Sequence, residues 1–74
     1  MDNIGQKIKK IRELRNFSRR YVASQLELSM NTYGKIERDE INLTIKRLSQ
    51  IAKILNVGLI AIIDFDEEKL FKVK

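Results

Sequence analysis

The sequence predicts an all-α fold of five helices followed by one β-strand near the C-terminus. Apolar residues recur every three or four positions from Ile4 onward, which is the spacing of one buried helix face. Residues 18–37 divide into two short amphipathic stretches separated by a tight break. The segment Ile60–Phe65 is β-branched and aromatic, as strands usually are. At 74 residues, the chain is one domain near the lower limit for independent folding.

The first helix is predicted over residues 3–15. One stripe of it is apolar, and a basic surface covers the other faces. The stripe consists of Ile4, Ile8, Ile11 and Leu14, and the basic residues are Lys7, Lys9, Lys10, Arg12 and Arg15. A solvated surface and contacts to phosphate groups explain these charges about equally well. Asn16 and Phe17 end the helix and supply an aromatic plug.

Two further helices are predicted to follow, with Ser18 and Ser29 as their N-terminal caps. Val22, Ala23 and Leu26 give the first of them a buried face, and Tyr33 and Ile36 do so for the second. This arrangement is a helix-turn-helix, which places its second helix in the major groove of DNA.

The outer surface of that second helix is then left to polar and flexible side chains. Asn31 is suited to bidentate pairing with adenine, Met30 to contact with a thymine methyl group, and Lys35 to guanine or phosphate. Arg19 and Arg20 open the preceding helix, where backbone amides favour an anion. The complete set of predicted DNA-binding residues is Arg19, Arg20, Ser29, Met30, Asn31, Thr32, Lys35, Arg38 and Lys46.

The chain resembles the phage-repressor and Cro-like (xenobiotic-response-element type) helix-turn-helix family from Ile4 to about Leu59. The matching residues are Ser18, Val22-Ala23, Leu26, Leu28-Ser29 and Glu37-Arg38. The resemblance implies an ion pair between Arg12 and Glu37 and an inward, core-packing Tyr33. Arg19, Glu27 and Asp39 depart from the family pattern, and Glu27 stands where the turn usually has a glycine. We expect Glu27 to adopt a positive φ at some energetic cost.

The fourth helix is predicted to begin after Thr44 and to stop at Asn56. Its inward residues are Ile45, Leu48, Ile51, Ala52 and Leu55. A strand over Ile60–Phe65 is favoured over the family's short fifth helix. Since a lone strand leaves its backbone groups unpaired, we expect it to pair with the same strand of a second copy. The sequence thus predicts a DNA-binding domain over 1–58 and a dimerisation segment over 59–74, with Ile60, Ile62, Ile63 and Phe65 in the interface.

Composition narrows the function further. The net charge is +5, and residues 1–58 hold twelve Lys or Arg against six Asp or Glu. Such a basic domain attracts phosphate backbones. The absence of Cys and His excludes zinc-finger and thiol chemistry. No catalytic motif is present, so we expect neither an enzyme nor a cofactor. Val57–Ile63 is too short to span a bilayer, so we expect a cytoplasmic protein without membrane contact.

An acidic cluster lies near the C-terminus, at Asp64, Asp66, Glu67 and Glu68. We interpret it as a guard against further strand addition rather than a metal site. The function predicted overall is a sequence-specific regulator of transcription that binds double-stranded DNA. It is expected to be a repressor, acting as a homodimer on a palindromic operator. The C-terminal segment also resembles dimeric antitoxins of kinase toxin-antitoxin modules, so an antitoxin with a toxin partner is one alternative. A protein-interaction adaptor without DNA binding is another.

Overall fold

Five α-helices make up residues 3–65, the part of the chain that this computed structural model describes. The helices are α1 (Ile4–Leu14), α2 (Arg19–Gln25), α3 (Met30–Glu37), α4 (Ile45–Leu55) and α5 (Leu59–Ile63). α3 packs against α1 and α2, α4 packs against α2, and α5 packs against α1 and α4. The predicted all-α fold of five helices is confirmed, but the fifth helix occupies the segment for which we predicted the strand. None of the five described helices is long and apolar enough to cross a membrane.

All five helices contribute to one core. Its fully buried apolar side chains are Ile8, Val22, Tyr33, Ile36, Leu48, Ile51, Leu55 and Ile62. Two residues that we predicted to face inward do not: Leu14 is 57% exposed and Ile45 is 58% exposed. Leu14 is the last residue of α1 and Ile45 is the first residue of α4. At these helix ends the apolar stripe extends beyond the neighbouring helices that would cover it.

Three helices begin with the side-chain caps that the sequence predicts. Ser18, Ser29 and Thr44 each accept a hydrogen bond from the backbone N–H three residues later, at 3.0 Å. Because the first N–H groups of a helix lack intrahelical acceptors, each cap satisfies one of them and fixes where the helix starts.

The ends of α1 to α4 share one backbone geometry, in which a residue with positive φ and the residue after it each donate a backbone hydrogen bond to a carbonyl group of the preceding helix. At the end of α2, Glu27 N–H donates to Ser24 and Leu28 N–H donates to Ala23, at 3.0 and 2.9 Å. This is the Schellman motif, which usually has glycine at the positive φ. The residues at that position are Asn16, Glu27, Asp39 and Asn56, with φ between 59° and 63°. The positive φ that we expected at Glu27 is confirmed.

Replacing Glu27 by glycine should stabilise the fold. Asn and Asp tolerate the left-handed region, whereas a glutamate is destabilised there by about 1 kcal/mol. The variant Glu27→Gly should therefore melt roughly 4–8 °C higher. The control is Glu27→Ala, which removes the carboxylate but keeps a β-carbon. If Glu27→Ala raised the melting temperature as much as Glu27→Gly, the carboxylate and not the backbone conformation would be the source of strain.

Asp39 also connects the end of α3 to the start of α1. Its Oδ1 accepts a hydrogen bond from the backbone N–H of Gly5 at 2.6 Å. Asn3, which precedes α1, provides no side-chain cap of its own. The cap of α1 therefore comes from a residue 34 positions later, and the two helix ends lie in close contact. A β-carbon on Gly5 would overlap the carbonyl oxygen of Ile36.

The variant Gly5→Ala should lower the free energy of unfolding by about 1–3 kcal/mol, because the end of α3 must move away from α1. The matched control is Gly58→Ala, because Gly58 has an extended backbone and nothing lies within 4 Å of an added β-carbon. Urea unfolding of both variants checks the prediction. Equal midpoints for the two variants would contradict a close approach at Gly5.

The predicted strand at Ile60–Phe65 is wrong, because Leu59–Ile63 is helical. As a helix, the segment forms hydrogen bonds along its own backbone, such as the bond from Asp64 N–H to the carbonyl of Ile60 at 2.8 Å, so it does not require a partner strand. Ile62 is fully buried in the core of its own chain, and Lys7 Nζ donates to the carbonyl of Ile63 at 2.9 Å, which satisfies a terminal carbonyl group. These tertiary contacts outweigh the β-propensity of the isoleucines. Asp66, Glu67 and Glu68 of the acidic cluster lie outside the described residues.

Candidate nucleic-acid interface

α2 and α3, with the turn between them, form a compact pair on one side of the core. Val22 and Ala23 of α2 and Tyr33 and Ile36 of α3 are buried. Both helices are capped at their N-termini, and α2 ends in the Schellman turn at Glu27. The start and direction of α3 are therefore fixed by backbone hydrogen bonds as well as by packing.

The outward surface of α3 forms a continuous arc. At about 100° per residue, the positions around this arc span roughly 140°. We call these residues the outward arc; in angular order they are Met30, Gly34, Arg38, Asn31 and Lys35. Tyr33, Ile36 and Glu37 are buried, and Glu37 lies at the border of the arc, about 20° from Met30. Met30 is 42% exposed, and Asn31, Lys35 and Arg38 are exposed as well.

Two predicted DNA-binding residues are engaged in the cap of α3. Ser29 Oγ accepts from the backbone N–H of Thr32 and donates to Thr32 Oγ1, both at 3.0 Å. Thr32 is half-buried and Ser29 is exposed. These hydroxyl groups therefore have a structural function at the start of the helix, which leaves the outward arc as the main surface for a ligand.

A buried polar network fixes the rotation of α3 about its axis. Arg12 Nε of α1 lies 2.7 Å from Glu37 Oε2, and the second Arg12–Glu37 hydrogen bond measures 3.3 Å. Tyr33 donates its hydroxyl hydrogen to Glu37 at 2.5 Å, and Arg12 Nη1 donates to the carbonyl of Phe17 at 2.8 Å. The ion pair that the family resemblance implied is thus present. It joins α1, the α1–α2 loop and α3.

Burial and neighbouring groups shift the pKa of two members of this network, Arg12 and Tyr33. Burial disfavours the charged form of Arg12, but the hydrogen bond and charge of Glu37 outweigh it and raise the pKa of Arg12. Burial, together with the neighbouring Glu37 carboxylate, strongly raises the pKa of Tyr33. Tyr33 therefore remains neutral and acts as a hydrogen-bond donor to Glu37 across the physiological range.

The remaining predicted DNA-binding cations lie on three elements. Arg19 and Arg20 are the first two residues of α2, Lys46 is the second residue of α4, and all three are exposed. Arg38 Nε, by contrast, donates to Glu40 Oε2 at 2.7 Å. The Arg38–Glu40 contact and the position of Gly34 were not predicted from the sequence, because neither Glu40 nor Gly34 belongs to a recognisable motif. The four-residue spacing of Gly34 and Arg38, which places both on one side of a helix, was the available clue to their contact.

Comparison with known proteins places this geometry in a family. A family model described as helix-turn-helix matches residues 8–62. The chain belongs to this helix-turn-helix family. The match begins within α1 and extends into α5. No match was found among the curated proteins.

Two solved structures are similar to this chain. A crystal structure of SinR, the master regulator for biofilm formation, in complex with DNA has a TM-score of 0.72 and 27% identity; the match covers 82% of this chain and 98% of that one. A SinR/SinI protein complex has a TM-score of 0.73 and 27% identity, covering 89% of this chain and 65% of that one. The predicted resemblance to phage-repressor-like regulators is confirmed.

Removing Arg12 should destabilise the helix-turn-helix strongly. The variant Arg12→Met leaves Glu37 buried without its counter-charge, which should lower the free energy of unfolding by about 3–5 kcal/mol. The control is Arg38→Met, which breaks an ion pair whose side chains are 52% and 49% exposed. Urea unfolding should show a large loss for the first variant and almost none for the second. Similar losses in the free energy of unfolding would mean that the buried ion pair contributes no more to stability than the exposed one.

Proposed function

We propose that this protein is a sequence-specific regulator of transcription that binds double-stranded DNA with α3 in the major groove. The observation that carries the proposal is the outward arc, which presents exposed side chains on a helix that two caps and a buried ion pair hold rigidly. The structure of SinR with DNA, a similar fold, supports the same assignment.

Contacts to bases are assigned to the first turns of α3. Asn31 is exposed and has the amide that pairs with adenine N6 and N7. Met30 offers an apolar contact to a thymine methyl group, and Lys35 reaches guanine or phosphate. Arg19, Arg20 and Lys46 anchor the phosphate backbone, and their positive charges add affinity through counterion release.

Repression through a palindromic operator requires two copies of the chain. Helix-turn-helix dimers place their recognition helices about 34 Å apart, one turn of DNA. Among the interface residues that we predicted, Ile62 is buried in its own chain, and Ile63 and Phe65 are half-buried. Ile60, on α5, is 71% exposed. We assign the dimer contact to Ile60 and the residues around it, within the predicted segment 59–74.

Selection of bound duplexes from a random pool tests DNA binding, symmetry and spacing together. We expect an inverted repeat with half-site centres about 10–10.5 base pairs apart or a multiple of that. Enrichment of a single, asymmetric site would remove the homodimer from the proposal. No enrichment of any duplex would overturn DNA recognition itself.

Asn31→Ala should weaken binding to the selected operator by about 1–3 kcal/mol and relax the preference at one base pair in each half-site. The control is Arg19→Ala, which should weaken all sequences alike and reduce the salt slope by roughly one unit. Fluorescence anisotropy on the operator, on point-substituted operators and on random DNA measures both effects. Equal weakening on every DNA would exclude base contact by Asn31.

Ile60→Asp should convert the proposed homodimer to a monomer, because it places a charge in the centre of the assigned contact. Ile45→Asp is the matched control, since Ile45 is 58% exposed on another helix. Light scattering at tens of micromolar should show a monomer only for Ile60→Asp. Monomeric wild-type protein at that concentration, or a dimeric Ile60→Asp, would rule out dimerisation through α5.

The antitoxin and adaptor alternatives remain separate predictions. The SinR/SinI complex shows a protein partner for SinR. A gel shift with the selected operator distinguishes the regulator from the adaptor. Co-purification with the product of the neighbouring reading frame tests the antitoxin.

A further inference from the structure

Gly34 lies near the middle of the outward arc but is buried. A residue at this position of a helix would ordinarily project toward solvent. The side chain that covers it is Arg38, one turn later. A β-carbon added to Gly34 would lie 2.9 Å from Arg38 Nη1 and 3.7 Å from Arg38 Cζ. The guanidinium group of Arg38 therefore folds back along α3 and lies across the glycine, in space that any larger residue would narrow.

Glu40 holds the same guanidinium group from the other side. Its Oε2 accepts from Arg38 Nε at 2.7 Å, and its own backbone N–H donates to the carbonyl of Lys35 at 2.9 Å. That backbone bond belongs to the Schellman motif that ends α3, so the position of Glu40 is fixed relative to the helix.

The corresponding residue at the other three helix ends is apolar. Phe17, Leu28 and Val57 follow the positive-φ residues of α1, α2 and α4, and each packs against the core. A hydrophobic contact at this position is the usual companion of the motif. α3 alone among these four helices has a carboxylate there, and that carboxylate contacts the arginine on the outward arc.

We infer that Arg38 binds a guanine edge in the major groove, with Gly34 and Glu40 as the residues that position it; this inference rests on the proposed function. A guanidinium group has five N–H donors, and Glu40 takes the one on Nε. The four donors on the two terminal nitrogens form the edge that fits guanine O6 and N7. Glu40 thus orients the arginine without occupying the edge that contacts the base.

Guanine fits this arrangement better than phosphate does. Viewed along the axis of α3, Arg38 projects at an angle between those of Gly34 and Asn31, near the middle of the outward arc, whereas phosphate groups border the groove on both sides. The Glu40 carboxylate beside Arg38 would repel a phosphate group, but it does not oppose the neutral edge of a base.

The test measures base preference with the full chain. Wild-type protein first selects its operator from a random duplex pool, and four variants are then compared on point-substituted operators: Arg38→Ala, Arg38→Lys, Gly34→Ala and Glu40→Gln. We expect one G·C pair per half-site whose preference, about 5- to 150-fold, is lost in both Arg38 variants. Arg38→Lys keeps the charge but not the bidentate fork, so it should lose this preference while retaining the salt slope.

The positioning residues have their own readout. Gly34→Ala should melt no lower than wild type, because alanine favours a helix over glycine, and yet it should reduce preference at the same G·C pair. Glu40→Gln should also reduce the preference at this G·C pair. In both variants, the preference at the adenine assigned to Asn31 should stay unchanged. If Gly34 or Glu40 had only a structural role, its variant would show the same base preferences as the wild-type protein at every position of the operator.

Three results would overturn the inference while leaving the proposed function intact. Uniform weakening by Arg38→Ala, with the salt slope reduced by about one, would make Arg38 a phosphate contact. No effect of Arg38→Ala would leave Arg38 in solvent. Uniformly tighter binding by Glu40→Gln would show that Glu40 screens the arginine and does not orient it. Failure of the wild-type protein to select any duplex would instead overturn the proposed function, and this inference with it.

Discussion

The buried ion pair between Arg12 and Glu37 is the interaction on which the geometry of this domain depends. They are the only charged residues buried among residues 3–65, and no buried side-chain polar atom there lacks a hydrogen-bond partner. Apolar packing sets how close α1 and α3 lie but allows some rotation. The bonds from Arg12 and Tyr33 to Glu37 have fixed directions, and they therefore determine which residues of α3 face outward.

Two of the three glycines, Gly5 and Gly34, provide space and not unusual backbone angles. None of the positive-φ residues is a glycine, and the four helix ends that would favour one have Asn, Glu or Asp. Gly5 instead allows α1 to approach α3, and Gly34 leaves room for Arg38. The strain at the helix ends is partly offset at Asp39, whose side chain also caps α1. A small domain thus uses single residues for two structural purposes.

The candidate interface combines structural groups and exposed side chains in a short segment. Ser29 and Thr32 hold the start of α3, while Met30 and Asn31 between them remain exposed. Glu37 anchors the buried face, and Arg38, the next residue, lies on the outward arc. This close alternation explains how a helix of eight residues can be both firmly held and available to a ligand.

The sequence by itself determined helices α1 to α4, their caps at Ser18, Ser29 and Thr44, and the exposure of Met30, Asn31 and Lys35. These features follow from local signals: a capping hydroxyl group bonds three residues away, and a buried stripe repeats along one helix. Only the tertiary structure decided the state of Leu59–Ile63, because local β-propensity there competes with burial of Ile62 and with a cap from Lys7, 56 residues earlier. The same holds for the cap from Asp39 to Gly5 and for the exposure of Leu14 and Ile45. Each depends on which distant element lies alongside, and the spacing of residues along one helix does not contain that information.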